Sequence, residues 1–133
     1  MKLLIVDDEQ EIVNMLERIF SLEGYTVATT TRPLEALQLM RDESFDLILT
    51  DIKMPDMDGF ELLRELKKLN PLAGVVLTTE CSSLSELMAY LSPGAAGYFI
   101  KPFKNIDLLV KTMNEVREQI NSWQAAVMIG AET

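Results

Sequence analysis

The sequence predicts an α/β fold, a doubly wound parallel sheet of five strands with helices on both faces, and three observations predict it. Five short apolar runs, rich in Val, Ile and Leu, alternate strictly with longer stretches of helical spacing. The runs are too continuously apolar for strands with one wet face, so they are read as covered on both sides. The chain has 133 residues, the size of one domain that can bury a core of its own.

In chain order, the first run is residues 3–6, and the stretch after it carries Ile12, Leu16, Ile19 and Phe20 on one helical face before Gly24 stops it. The second run is 25–28. Pro33 then opens a helix, where its missing N–H costs nothing, with Leu34, Leu37 and Met40 or Leu39 inward. The third run is 47–49, followed by a helix lined by Leu62, Leu66 and Leu69 and ended by Asn70-Pro71. After the fourth run, 75–77, Ser83-Leu-Ser-Glu86 reads as a capping box and Pro93-Gly94 as the end of that helix. The fifth run is 98–100, and the last helix extends from Asn105 past Ile120. Such alternation calls for right-handed crossovers. The matching strand order is 2-1-3-4-5, flavodoxin-like, with the ligand site at the carboxyl ends of the first and third strands.

Charge and composition narrow the function. A formal charge of −9 without histidine argues against a nucleic-acid surface, since Lys67-Lys68 is the only basic pair and phosphate contacts need clustered cations. The single cysteine, Cys81, excludes an intramolecular disulfide and fits a reducing, cytoplasmic compartment. The apolar N-terminal run breaks at Asp7, too soon for a signal peptide or a membrane span.

The strand ends carry the chemistry. Phe45-Asp-Leu-Ile-Leu-Thr-Asp51 delivers one carboxylate to a strand end, and Ile52-Lys-Met-Pro-Asp-Met-Asp-Gly59 turns away from it, leaving Asp51 as a nucleophile or metal ligand. Asp7 and Asp8 end the first run, Thr78 and Thr79 the fourth, and Lys101-Pro102 the fifth. Each alone has a plainer reading. Asp7-Asp8-Glu9 suits an acidic helix start, Lys101 a solvated charge, and the threonines local backbone bonds. Their joint order at the same sheet edge decides for a site. Crowded carboxylates raise one another's pKa and call for a cation, and Mg²⁺ or Mn²⁺ suits a site of few carboxylates. A phosphoryl group held there needs a further cation and a hydroxyl, which Lys101 and Thr78 or Thr79 supply.

Val6-Asp7-Asp8-Glu9, Thr50-Asp51-Ile-Lys-Met-Pro-Asp-Met-Asp-Gly59, Leu77-Thr78-Thr79, Gly94-Ala95 and Gly97-Tyr98-Phe-Ile-Lys101-Pro102-Phe103 together resemble the receiver domain of two-component response regulators, the family of the chemotaxis response regulator. The resemblance covers Met1 to about Ile120. It implies that Asp51 is the phosphoacceptor, that Asp8 binds Mg²⁺ directly and Asp7 mainly through water, and that the main-chain carbonyl of Lys53 completes the protein ligands. It selects Thr79 over Thr78 as the switch hydroxyl, with Tyr98 as the aromatic that follows it and Lys101 as the partner of a phosphoryl oxygen. It implies a cis Lys101-Pro102 bond, which X-Pro chemistry permits. The donor would be the phosphohistidine of a sensor histidine kinase or a phosphotransfer protein, and the output a protein effector engaged by the fourth helix, fifth strand and fifth helix.

Glu80 departs from the family's pattern, which has a small residue after the switch hydroxyl; Glu80 and Cys81 are read as modulating positions. In the tail, Ile106, Leu109, Met113, Val116, Ile120, Trp123 and Val127 alternate three and four apart. Residues 1–121 are therefore read as the receiver domain and 122–133 as a helical extension or tail, frayed past Met128, whose stripe needs this domain, a second copy in a homodimer, or the effector of a longer regulator. Two rival readings are weighed, the second on the same topology. An aspartate-nucleophile phosphohydrolase needs a second acid where Lys53 stands, and a flavin carrier would meet repulsion from Asp7-Asp8-Glu9.

Overall fold

The computed structural model describes residues 1–80, 85 and 94–132. In chain order the elements are β1 (Lys2–Val6), α1 (Gln10–Leu22), β2 (Thr26–Thr30), α2 (Pro33–Asp42), β3 (Leu47–Asp51), α3 (Gly59–Leu69), β4 (Gly74–Thr79), β5 (Gly97–Ile100) and a C-terminal helix (Ile106–Glu132). All strand pairs are parallel, in the order β2-β1-β3-β4-β5. This is the expected 2-1-3-4-5 sheet. The capping box at Ser83, the helix end at Pro93, and Cys81 lie outside the described residues.

Strand alternation builds two cores from the same strands. Leu4, Val6, Ile48, Val75 and Leu77 face α2 and α3, where they meet Ala36, Leu37, Leu62 and Leu66. Their neighbours Leu3, Ile5, Leu47, Leu49 and Val76 point to the other side, onto Leu16 and Phe20 of α1 and Leu109, Met113 and Ile120 of the C-terminal helix. Full coverage holds for β3 and β4, which are buried throughout, and for β1 past Lys2. The edge strands differ from expectation: β2 and β5 are mostly half-buried, because each has a partner on one side only.

The buried helix faces lie within one position of those that the spacing predicts. In α1 the buried residues are Val13, Leu16 and Phe20, with Ile12 and Ile19 only half-buried. Gly24 ends this helix with φ +92°, a left-handed conformation that glycine adopts without cost. In α2 the inward face is Pro33, Ala36, Leu37 and Met40, spaced three and four apart; Leu34 sits one step off it and is 57% exposed. In α3, Leu62, Leu63 and Leu66 are buried while Leu69, in the last turn, is 43% exposed.

Asn105 caps the C-terminal helix, its side chain accepting from the Leu108 amide at 3.0 Å. The helix runs without a break across residue 121, and its backbone is helical through Glu132, beyond the point where fraying was expected. Its apolar stripe is buried only as far as Ile120; Trp123 and Val127 are 44% and 52% exposed. Among the described residues no helix is long and apolar enough to cross a membrane.

Candidate functional site

The parallel register brings the acids together. Val6 pairs with Thr50 across β1 and β3, so the residues that follow, Asp7 and Asp51, leave the sheet side by side. Asp51 pairs with Thr78, and Thr79 with Ile100, which places Lys101 at the same edge. The Lys101 amide donates to the Thr79 carbonyl at 2.8 Å, and the Lys101-Pro102 bond that follows is cis, as expected. The chain therefore leaves β5 with the lysine turned back over the strand ends.

One ammonium bridges two carboxylates there. Lys101 Nζ lies 2.6 Å from Asp7 Oδ2 and 3.2 Å from Asp51 Oδ2, and all three residues are buried. The other Asp7 oxygen accepts from the Glu9 amide at 3.0 Å. Asp8 is exposed beside them, and one oxygen each from Asp7, Asp8 and Asp51 falls within 4.8 Å of the others. Burial pushes the Asp51 carboxyl above its ordinary value; Lys101 opposes the shift, while Asp7 and Asp8 add to it. For Lys101, burial acts to lower the pKa, but the hydrogen bond and charge of Asp7, joined by Asp51, outweigh it and the net direction is upward.

The loop after β3 closes tightly on the acceptor strand. The Gly59 amide donates to the Ile52 carbonyl at 2.7 Å, and a Cβ on Gly59 would lie 2.5 Å from the Asp51 carbonyl oxygen, so only glycine fits. Asp58 caps α3 by accepting from the Glu61 amide at 2.9 Å. Asp56 takes up the turn with φ +71°, a conformation that aspartate tolerates better than most residues. Lys53 is left exposed at the mouth.

The cavity above Asp51 measures about 140 Å³ and is lined by Asp8, Glu9, Asp51, Lys53 and Glu80. Thus Asp7, Asp8, Asp51, Lys53, Glu80 and Lys101 meet in one place. Thr79 and Tyr98 do not line this cavity. Thr79 is fully buried, its hydroxyl donating to the Glu80 carbonyl at a long 3.5 Å. Leu77 pairs with Tyr98, so Tyr98 shares the strand face of Leu77 and, two residues on, of Thr79; Thr78 falls on the opposite face with Phe99. Tyr98 is half-buried and packs at the edge of the core on that side. Glu9, which the sequence presents within the acidic Asp7-Asp8-Glu9 run without a role of its own at the site, also lines the cavity. Its adjacency to Asp8 was the available signal.

An all-oxygen set of three acids, two of them buried, fits a hard divalent cation such as Mg²⁺, which needs few protein ligands and keeps the rest of its shell for water and phosphate. The donor set offers no thiolate or imidazole to favour a softer ion.

Residues 3–114 match the response regulator receiver domain. The transcriptional regulatory protein ZraR of Klebsiella oxytoca is 39% identical over 113 residues, which are 85% of this chain and 25% of that protein. The response regulator SaeR of Staphylococcus aureus (strain USA300) is 35% identical over 112 residues, 84% of this chain and 49% of that protein. The chain thus spans from a quarter to about half the length of these relatives. Among solved structures, a CheY-like response regulator receiver domain protein from Methanospirillum hungatei JF-1 superposes with a TM-score of 0.78 at 37% identity, covering 91% of this chain and 97% of that one. With the five-stranded order, the acid cluster and the matched span in agreement, the chain belongs to the response regulator receiver domain family of two-component systems.

Proposed function

We propose that the chain is a phosphorylation-dependent switch in which Asp51 accepts a phosphoryl group from the phosphohistidine of a sensor histidine kinase or a histidine phosphotransfer protein. The observation that carries this reading is the convergence of three carboxylates within 4.8 Å beside a buried lysine. Asp7, Asp8, Asp51 and the Lys53 carbonyl would hold Mg²⁺ or Mn²⁺, which supplies charge neutralisation for an incoming dianion when bound. An Asp51 carboxylate oxygen attacks phosphorus, the P–N bond breaks, and the imidazole nitrogen keeps the electron pair. Lys101 retains Asp7 and exchanges its longer contact with Asp51 for a phosphoryl oxygen.

Thr79 then trades its long bond to the Glu80 carbonyl for a charge-assisted bond to the phosphoryl group. Tyr98, on the same strand face, turns toward the volume that Thr79 leaves. The output surface is the face of β5 and the C-terminal helix together with the fourth helix that the sequence predicts, read by a downstream protein effector. The chain is a switch rather than an enzyme, with self-catalysed phosphorylation and dephosphorylation at most.

A second arrangement is favoured by length: because the chain spans a quarter to half of its relatives, the effector belongs to the same polypeptide in a longer regulator. A phosphohydrolase reading is disfavoured by Lys53 at the place of the second acid, and a flavin carrier by the acidic turn after β1. Incubation with a small phosphodonor and Mg²⁺ should add a single phosphoryl group by intact mass, and Asp51→Asn should abolish it. Undiminished labelling of the Asn variant, or labelling without metal, overturns the assignment.

A further inference from the structure

The route to Asp51 is anionic beyond what the acceptor chemistry requires. Lys101 is held by Asp7 at 2.6 Å and Asp51 at 3.2 Å and does not line the cavity, so a donor entering the 140 Å³ mouth first meets the carboxylates of Asp8, Glu9, Asp51 and Glu80 and, among the lining residues, one ammonium, that of Lys53. Asp8 and Asp51 have work to do with a metal. Glu9 and Glu80 have none. Glu80 is held at the rim by its backbone: it directly follows Thr79, whose carbonyl accepts from the Lys101 amide at 2.8 Å, and Thr78, whose carbonyl accepts from the Ile52 amide at 3.0 Å. The side chain is exposed at that fixed position. A divalent cation between Asp7, Asp8 and Asp51 would reduce the negative field at the mouth, and the carboxylates of Glu9 and Glu80 would still face any arriving anion.

We propose that Glu80, supported by Glu9, is a specificity-determining residue that selects phosphodonors by charge, admitting those with a protonated nitrogen leaving group and disfavouring acyl phosphates. The inference rests on the reading of Asp51 as phosphoacceptor and names the donor class for that site. A phosphoramidate or phosphoimidazole carries a cationic nitrogen next to its phosphoryl dianion, so its net charge is smaller and its leaving end is attracted to the rim. When Asp51 attacks phosphoramidate, a P–O bond forms, the P–N bond breaks, the nitrogen keeps the pair, and neutral ammonia departs. When it attacks acetyl phosphate, the bridging P–O bond breaks and an acetate anion must leave past Glu80 and Glu9. The rim therefore opposes the acyl donor on approach and again on departure.

The test measures labelling rates of the full chain with Mg²⁺ by intact mass, using phosphoramidate and acetyl phosphate separately, for the unsubstituted protein, Glu80→Gln, Glu80→Asp and Asp51→Asn. Glu80→Gln is expected to speed the acetyl phosphate reaction about threefold or more at low salt while phosphoramidate changes by less than about twofold. Glu80→Asp, which keeps the charge, should keep the original donor ratio. At about 0.5 M salt, where the Debye length falls to roughly 4 Å, the ratios of Gln and unsubstituted proteins should converge. Equal acceleration with both donors, or no change with either, overturns charge selection. Labelling that persists in Asp51→Asn overturns the phosphoacceptor reading instead, so the two failures are distinguishable.

Discussion

Lys101 Nζ sits 2.6 Å from Asp7 and 3.2 Å from Asp51, so the proposed acceptor is the looser of the lysine's two carboxylate partners. This asymmetry lets Lys101 stay anchored through Asp7 while its contact with Asp51 changes. It also makes the lysine a counter-ion shared by two buried acids. Lys101→Met should destabilise the fold by about 3–5 kcal/mol in urea unfolding without metal, because it leaves two carboxylates buried without their cation. Adding Asp51→Asn to that variant should restore part of the loss. A restoration no larger than the gain that Asp51→Asn gives by itself would show that the two groups are not coupled.

Asp51→Asn alone should stabilise the metal-free protein. The folded-state pKa of Asp51 is raised, chiefly by burial, with Lys101 opposing and Asp7 and Asp8 adding. The folded protein therefore binds this proton more tightly than the unfolded chain does. Ionised Asp51 costs stability at neutral pH, and the cost disappears as pH falls through the raised value toward 3.8. The Asn variant removes that cost, against the loss of a 3.2 Å bond to Lys101. Thermal unfolding in chelator should show a higher Tm for Asn at pH 7 and a shrinking difference as the pH falls. Addition of Mg²⁺ should raise the Tm of the unsubstituted protein more than that of the variant. An Asn variant less stable than its parent at pH 7 would mean that the Lys101 bond outweighs the burial of charge.

Thr79 and Tyr98 should report occupancy of the site together, since the strand pairing sets them on one face of the sheet while neither lines the cavity. A beryllofluoride phosphate mimic with Mg²⁺ is expected to shift the amides of both and of the C-terminal helix facing β5. In Thr79→Ala the shift at Tyr98 should fall by more than half while Asp51 still responds. Perturbation confined to Asp8 and Asp51 in the unsubstituted protein would remove the coupling.

Much of this was legible because it is local. Strands announced themselves by apolar runs, and the acids by their place at the end of those runs. Once the order 2-1-3-4-5 was inferred, Asp7, Asp51 and Lys101 had to meet at one edge. What escaped depends on contacts between distant segments. Leu34 has the same apolar character as Leu37, and only the rotation of α2 against the sheet, set by Pro33, Ala36 and Met40, leaves one wet and the other buried. Gly59 looked like an ordinary turn glycine until the Asp51 carbonyl was found where its Cβ would be. Tyr25 opens the second apolar run, but no pattern flagged its hydroxyl, which donates to Asn114 at 2.6 Å while Arg117 lies 5.1 Å from its ring centre, tying the start of β2 to the C-terminal helix. Glu9 belonged to a legible acidic run, but its place in the cavity wall was not legible, because it depends on where Glu80 comes to rest.

The C-terminal helix contains two kinds of apolar residue on what the sequence presents as one stripe. Ile120 is fully buried against α1 and the sheet, whereas Trp123, one turn later, is 44% exposed and Val127 is 52% exposed. Burial decides what each contributes to the single chain. Ile120→Ala should cost about 2–5 kcal/mol, from lost transfer energy and the cavity it leaves, and Trp123→Ala less than about 1 kcal/mol. Unfolding curves of the two variants at low protein concentration check the contrast. Trp123 emission at that concentration should be that of a partly wet indole. If the stripe pairs with a second copy, emission shifts to the blue as concentration rises and sedimentation gives a dimer mass, with Trp123→Ala losing both. A large stability cost for Trp123→Ala in the monomer would instead show that the indole packs on its own domain, against the exposure seen here.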